Sequence, residues 1–406
     1  MDAALGAAAQ ALSRFDPLAA LKRVALRDDA DALALRGIAM AQLGDYAAAQ
    51  KLLGRAGRAF GQSGPRARAR CLAAQGEVAL ACRDLTSAER ALDAALLELD
   101  AQGDRANALF VRVQRVRRLV LLGAVSDAAA MLRSLAIASA PPRLRAQAEL
   151  VGADIALRAL DPRAARAALA RARSAARVAS IPSLGDEVER VARELDAPVA
   201  RVARAGTERL ARLDEVAAIL GSKDLVVDAC RRTIRAASVV VPLVTRPVLL
   251  ALGVALARAV PGDVTREALA EATFGARRIT DSTRVRLRVE IGRLRRAIAA
   301  LGAVEATARG YALRPRDGAD VVVLLPPAPG EASALLALLR GGESWSTSAL
   351  AAAMGTSQRT VQRALLALRD AGRVEGLGGG RAQRWVARPP EGFATTLLLV
   401  VRGPSG

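Results

Sequence analysis

The chain of 406 residues contains no histidine. That absence removes histidine-based catalytic triads, histidine general bases and histidine metal sites together. Lysine is almost missing too: Lys22, Lys51 and Lys223 are the only three, and none sits in a phosphate-binding G-x-x-x-x-G-K-[ST] run. Three cysteines, Cys71, Cys82 and Cys230, are too few and too scattered for a disulfide framework or a zinc site. They are expected to be buried small apolar residues in a reducing cytosol, so the protein is expected to be cytoplasmic. Aromatic residues make up 2%, so the cores must be packed with Ala, Leu and Val. The longest candidate membrane run, Val248 to Ala257, is ten residues and too short to cross a bilayer. The start, Met1 to Leu12, carries Asp2 and no basic residue, unlike a signal peptide. No paired carboxylates stand out either. The expectation is therefore no enzyme, no cofactor, no metal and no membrane.

What the chain has is apolar residues (52%) and arginine, with a net charge of +20. A strong positive balance is the electrostatic footprint of a nucleic-acid binder, although an Arg- and Ala-rich chain also follows from a GC-rich genome. The distribution is more telling. Residues 221–316 hold 18 basic and 8 acidic residues, against 27 and 17 over 1–182, a segment nearly twice as long. Residues 331–406 hold 9 and 5.

Four stretches of the first half stack on one another. They begin Leu43-Gly44-Asp45, Arg83-Asp84-Leu85, Leu122-Gly123-Ala124 and Leu160-Asp161-Pro162. A small residue recurs at Ala49, Ala88, Ala128 and Ala165, with a leucine four residues on at Leu53, Leu92, Leu132 and Leu169. Spacings of 39, 40 and 37 predict a helix–turn–helix unit used four times, the alanines permitting close approach and the leucines filling a shared core. Over about 30–182 this resembles tetratricopeptide repeats, whose usual spacing is 34; a generic helical-hairpin solenoid fits as well. Such a scaffold is expected to offer a concave surface to a protein or peptide partner, or to make a homodimer. Residues 183–222 read as one or two further helices and a connection.

Between 223 and 316 the patterning changes. Leu225–Asp228 and the runs from Thr233 to Val241 read as strands of a small antiparallel sheet. A helix follows from Arg246 to Ala259, then a Pro261-Gly262-Asp263 turn, and a helix capped by Thr265. A third helix, capped by Asp281 or Ser282, runs to about Ala300. Leu287, Ile291, Leu294 and Ile298 form its apolar stripe, with Arg286, Val289, Arg293 and Arg296 opposite and Arg284, Arg288 and Arg295 flanking. Val304–Thr307 and Tyr311–Leu313 then make a hairpin with Arg309 at its tip.

This order resembles the OmpR/PhoB-type winged-helix DNA-binding domain, a bacterial regulator family. The resemblance lies in Leu225-Val226-Val227-Asp228, Thr273-Phe274-Gly275, the helix Val289-Glu290-Ile291-Gly292-Arg293-Leu294-Arg295-Arg296, and Thr307-Ala308-Arg309-Gly310-Tyr311. It implies that Arg286, Val289 and Arg293 face bases, that Arg295 and Arg296 meet phosphate, and that Arg309 enters the minor groove; Arg284 and Thr307 are further candidate DNA contacts. Glu290 departs from the family, which often has His there. The family's phosphate-receiving domain is not seen, so control by phosphorylation is not expected.

After a linker at 317–330, with a candidate strand at Val321–Leu325, residues 331–406 repeat the theme. Glu331–Arg340 is a short helix; Ser346 or Thr347 caps the next, to Met354; Gly355-Thr356 turns; Ser357 caps a third helix. Ala349, Leu350, Met354, Val361, Leu365 and Leu368 are its candidate core. Ser357, Gln358, Thr360 and Gln362 are short polar groups suited to base edges, and Thr356, Arg359 and Arg363 can hold phosphates; Arg381 at the Gly378–Arg381 tip and Arg384 on the returning wing strand are further candidate DNA contacts. This looks like the DeoR-like and MarR-like winged helices, which serve either DNA or protein partners. An apolar tail, Phe393–Val401, is expected to pack as a strand. The expected fold is mainly α: helical-hairpin repeats over 1–182, then two winged helix-turn-helix (α+β) domains. The leading expectation is a regulator of transcription that binds double-stranded DNA. The alternative is an interaction scaffold whose winged helices dock proteins.

Overall fold

The computed structural model describes residues 2–61, 64–275, 280–328, 330–339, 344–377 and 383–387. Among them the chain is mainly helical, with a small mixed sheet, and divides into two units, 1–194 and 195–390. No helix among the described residues is long and apolar enough to cross a membrane.

The first unit is a succession of helices: α1 (Ala3–Ser13), α2 (Pro17–Val24), α3 (Ala30–Gln42), α4 (Tyr46–Phe60), α5 (Pro65–Ala81), α6 (Leu85–Ala101), α7 (Arg105–Leu121), α8 (Val125–Arg133), α9 (Pro142–Arg158), α10 (Pro162–Ala179) and α11 (Pro182–Asp196). A 3-10 turn, Ile137–Ser139, separates α8 from α9. The starts are written locally. Asp16, Asp29, Asp45, Asp84, Asp104 and Asp161 each accept a hydrogen bond from an amide of the first turn that follows. Pro17, Pro65, Pro142 and Pro162 occupy first positions, where a missing N–H costs nothing.

The four aligned stretches fall on the turns joining α3 to α4, α5 to α6, α7 to α8 and α9 to α10. At each turn one residue takes a left-handed conformation: Gly44, Arg83, Gly123 and Leu160. Ala49, Ala88, Ala128 and Ala165 are fully buried, as are Leu53 and Leu92; Leu169 is 3% exposed. Leu132, in the short α8, is only partly buried. Of the cysteines, Cys71 is buried, and burial pushes its thiol up to about 12. Cys82 departs from expectation: it lies exposed because position 82 ends α5 at a turn.

The second unit contains β1 (Ala200–Arg204), β2 (Thr207–Ala211), α12 (Leu213–Leu220), β3 (Leu225–Asp228), β4 (Thr233–Ala236), β5 (Val239–Pro242), α13 (Pro247–Ala259), β6 (Val264–Thr265), α14 (Arg266–Phe274), α15 (Asp281–Ile298), β7 (Gly302–Ala306), β8 (Gly310–Pro315), β9 (Val321–Leu325), α16 (Glu331–Leu339), α17 (Thr347–Met354), α18 (Gln358–Asp370), β10 (Val374–Leu377) and β11 (Arg384–Ala387). The main sheet has six strands in the order β2-β1-β9-β3-β4-β5.

The antiparallel pairing expected for Leu225–Asp228 and the runs from Thr233 to Val241 is present, β3 with β4 and β4 with β5. The sheet as a whole is mixed, because β9 pairs parallel with β3, Val226 opposite Val322. The candidate strand Val321–Leu325 within 317–330 is β9, whereas 183–222, expected as helices and a connection, also holds the β1–β2 hairpin. β9 is an inner strand with all five residues buried, and the β1–β2 hairpin extends the sheet beside it. A run such as Val321-Val322-Val323-Leu324-Leu325 suits a strand covered on both faces.

Leu225, Val227, Ile234 and Val323 of the sheet share one core with Leu249, Leu252 and Leu256 of α13 and with Leu287, Ile291, Leu294 and Ile298 of α15. β6, β8 and β7 form a separate three-stranded sheet. Helices α16 to α18 gather around Leu335, Leu350, Val361, Leu365 and Trp385, and Val244 packs against this group.

Candidate nucleic-acid interface

Helix α15 is capped by Thr280, not by Asp281 or Ser282. The Thr280 hydroxyl accepts from the Thr283 amide at 3.2 Å, so Asp281 becomes the first helical residue. The apolar stripe is buried as expected, each of its four residues being 2% exposed or less. The opposite face carries Val285 and Val289, 57% and 48% exposed and one turn apart. Val285 is a candidate contact that sequence reasoning missed; its spacing of four from Val289 was the available signal. Arg284, Arg286, Arg288, Arg293, Arg295 and Arg296 are all exposed around this face.

These arginines are not equivalent. Arg284 pairs with Asp281 at 3.3 Å and Arg293 with Glu290 at 2.7 Å, both within the helix. Exposed pairs of this kind contribute only about 0–1 kcal/mol, so a phosphate or a base edge competes with them readily. Arg286 lies over the Phe274 ring at 4.3 Å, held at the end of α14. Arg296 donates to the Gly292 carbonyl at 3.4 Å. Arg295 turns toward the protein: its Nε donates to the Val304 carbonyl at 2.6 Å, and its guanidinium stands 5.9 Å from the Tyr311 ring.

The β7–β8 hairpin lies beside α15 and places Thr307, Ala308 and Arg309 at its tip. Asp263, read from sequence only as part of a turn, organises this tip. It accepts from Thr307 Oγ1 at 2.7 Å and pairs with Arg309. The Arg309 guanidinium and the Thr307 hydroxyl hold its carboxyl below the ordinary value of 3.8. Arg309 itself stays 72% exposed. Arg266, also missed as a site residue, donates to the carbonyls of Ala308 at 3.0 Å and Thr307 at 3.2 Å, and faces Tyr311 from 5.7 Å. Its partners lie more than 40 residues away, which no local pattern announces. Val264 and Thr265 of β6 pair with Tyr311 and Gly310 and fasten the hairpin to the start of α14.

A second array is built from α17 and α18. Ser346 caps α17, and Ser357 caps α18 by accepting from the Thr360 amide at 3.1 Å. Ser357 and Thr360 also bond each other through their hydroxyls at 2.9 Å, so part of their capacity is spent. Gln358, Arg359, Gln362 and Arg363 are exposed along the start of α18; Thr356 is partly buried. Leu350, Val361 and Leu365 are the buried core; Ala349, Met354 and Leu368 are partly buried. Trp385 of β11 is buried and donates to Thr347 Oγ1 at 3.1 Å; Arg384, exposed, donates to the Ser344 carbonyl at 3.3 Å. Arg381 and the Phe393–Val401 tail lie outside the described residues.

The helical unit carries a different polar group, which sequence reasoning missed. Glu77 of α5 is fully buried, and neither carboxylate oxygen has a hydrogen-bond partner. Burial pushes it up to about 7, against the attraction of Arg117 on α7 and Arg143 on α9. Glu187 on α11 is likewise raised to about 7 by burial. Burial pulls Arg117 down to about 10. Among the described residues no group of three or more Cys, Asp and Glu side chains is placed to hold a metal ion. No family model, no curated protein and no solved structure matches the chain.

Proposed function

We propose that residues 195–390 bind double-stranded DNA and that the protein regulates transcription. In this reading α13 to α15 with the β7–β8 hairpin act as a winged helix. Helix α15 enters the major groove with Arg286, Val289 and Arg293 toward bases, Val285 beside them, and Arg284, Arg288 and Arg296 toward phosphates. Arg309 reaches the adjacent minor groove. Helices α16 to α18 with β10 and β11 act as a second winged helix, with Gln358, Arg359, Gln362 and Arg363 toward the duplex.

One observation carries the reading. Helix α15 buries one complete stripe while its opposite face exposes two valines among arginines, next to a hairpin tip that holds out a further arginine. A helix solvated for its own sake has no use for exposed valines at this position, whereas thymine methyl groups offer them contact and guanine takes two bonds from arginine. Arg295 supports the site indirectly, by holding the hairpin backbone at Val304. The helical unit then serves as the sensing or partner-binding half, through which a protein, a peptide or a second copy would act.

The test is fluorescence anisotropy of the full chain against a pool of genomic DNA fragments over a salt series. Affinity is expected to fall steeply with salt, the logarithmic slope being about 0.9 per neutralised phosphate. Arg293→Ala should weaken binding by about 1–3 kcal/mol at selected sequences. Arg309→Ala should weaken it at sites with a narrow minor groove. Absence of binding at low salt would sink the reading and favour a protein-docking scaffold.

A further inference from the structure

The four helix pairs of the first unit are unequal. Helices α4, α6 and α10 run 15, 17 and 18 residues, and α8 stops after 9. Ala124 precedes α8 where Asp45, Asp84 and Asp161 cap the other three, and it supplies no side-chain bond. About two helical turns are therefore missing at 3.6 residues per turn. Their absence leaves a groove of about 520 Å³ between α8, the Ile137–Ser139 turn, α9 and α10. That volume falls in the range of small-molecule sites, roughly 300–1,000 Å³.

The walls are apolar: Leu132 and Leu135, Ile137, Gly152 and Ile155 of α9, and Ala168 of α10. Four charged residues also border the groove: Arg133, Glu149, Asp161 and Arg171. Both acids are already engaged. Glu149 pairs with Arg171 at 2.8 Å. Asp161 accepts from the Ala164 amide at 2.8 Å as the α10 cap. Arg133, exposed in the last turn of α8, has no acidic partner among the described residues. Arg133 is thus the cation of the groove without an acidic partner among the described residues, at the edge of an apolar trough, while Asp161 keeps its charge and directs one carboxylate oxygen onto the start of α10.

We propose that this groove binds an amphipathic carboxylate, with the apolar chain along Leu132, Ile137 and Ile155 and the carboxylate on Arg133. Arginine offers a carboxylate two parallel N–H donors, and the apolar walls repay the removal of a hydrocarbon chain from water. The inference gives the sensing role of the helical unit a ligand class and rests on that reading for its purpose. Its test contains no DNA, so the two can fail separately.

The experiment is calorimetric titration of the full chain with sodium decanoate below its micellar concentration, beside decylammonium chloride. One decanoate per chain is expected, with no comparable binding of decylammonium. Arg133→Gln should weaken decanoate about tenfold or more, since a charge-assisted bidentate contact is lost. Gly152→Leu should abolish binding by filling the trough; leucine is also the better helix former, so thermal unfolding serves as the control for folding. No heat of binding at millimolar decanoate, equal binding of decylammonium, or unchanged binding by a folded Gly152→Leu chain would each overturn the assignment.

Discussion

Replacing Gly310 by alanine tests the construction of the hairpin at one atom. Gly310 opens β8 opposite Thr265 of β6. A Cβ on it would lie 1.8 Å from the Val264 carbonyl oxygen, 2.8 Å from that carbonyl carbon and 2.9 Å from the Thr265 Cα. All three atoms are backbone, so no rotamer change relieves the overlap. Carbon–oxygen contacts settle near 3.3 Å or beyond, so β6 and β8 must part by roughly 1.5 Å. The hydrogen bond between the Thr307 hydroxyl and the Gly310 amide, and the grip of Arg266 on Ala308 and Thr307, depend on the same approach. Overpacking costs about 1–3 kcal/mol, and each lost bond adds about 1 kcal/mol, so a total near 2–4 kcal/mol is expected. For a unit of this size that lowers the melting temperature by roughly 5–15 °C. Gly292→Ala is the matched control: it adds the same methyl group inside α15, where nothing lies within 4 Å. It should stabilise by about 0.5–1 kcal/mol through helix propensity alone. Differential scanning calorimetry of the full chain reads both. If Gly310→Ala melts within a degree of the parent, the register of β6 against β8, and the placement of Arg309 that follows from it, is wrong.

Other expectations follow from single sites. Ala124→Asp should stabilise the first unit by about 0.5–1 kcal/mol in urea unfolding, because Ala124 already holds backbone angles close to those of Asp45 and Asp84; an unchanged midpoint would show that this turn does not accept a cap. Asp228→Ala should cost about 2 kcal/mol, since Asp228 is fully buried and accepts from the amides of Cys230 and Arg231, both at 2.9 Å. Glu77 and Glu187 are raised from the ordinary 4.5 to about 7, so the folded helical unit holds protons there that the unfolded chain releases. Their contribution to stability is full below about pH 4.5 and is lost as pH rises toward about 7. Melting curves from pH 4.5 to 8 should show this decline, and Glu77→Gln should flatten it; equal slopes in both chains would contradict the burial of Glu77.

Helix starts and turns were legible because they are local. Thr265, Ser346 and Ser357 announce their helices through a bond to an amide three residues on, and Asp45, Asp84 and Asp161, inside the four aligned stretches, cap theirs in the same way. The stripe Leu287-Ile291-Leu294-Ile298 could be read because helical periodicity alone assigns four residues to one face. Thr280 was missed as a cap because Asp281 and Ser282 beside it are equally competent types, and only backbone angles decide among them.

What the order of residues determined by itself is the repeated helix pairs, the helices and main strands between 223 and 316, the buried stripe of α15 and the concentration of arginine between 221 and 316. The tertiary structure alone decided the rest. It set β9 between β1 and β3, pairing it with β1 across more than a hundred residues in a sheet whose pairing no local pattern encodes. It turned Arg295 onto Val304, brought Asp263 to Thr307 and Arg309, and enclosed Glu77 with Arg117 and Arg143. Propensity and capping act over three or four residues and can be read along a chain, whereas a hydrogen-bond partner or a buried charge exists only once distant segments have packed.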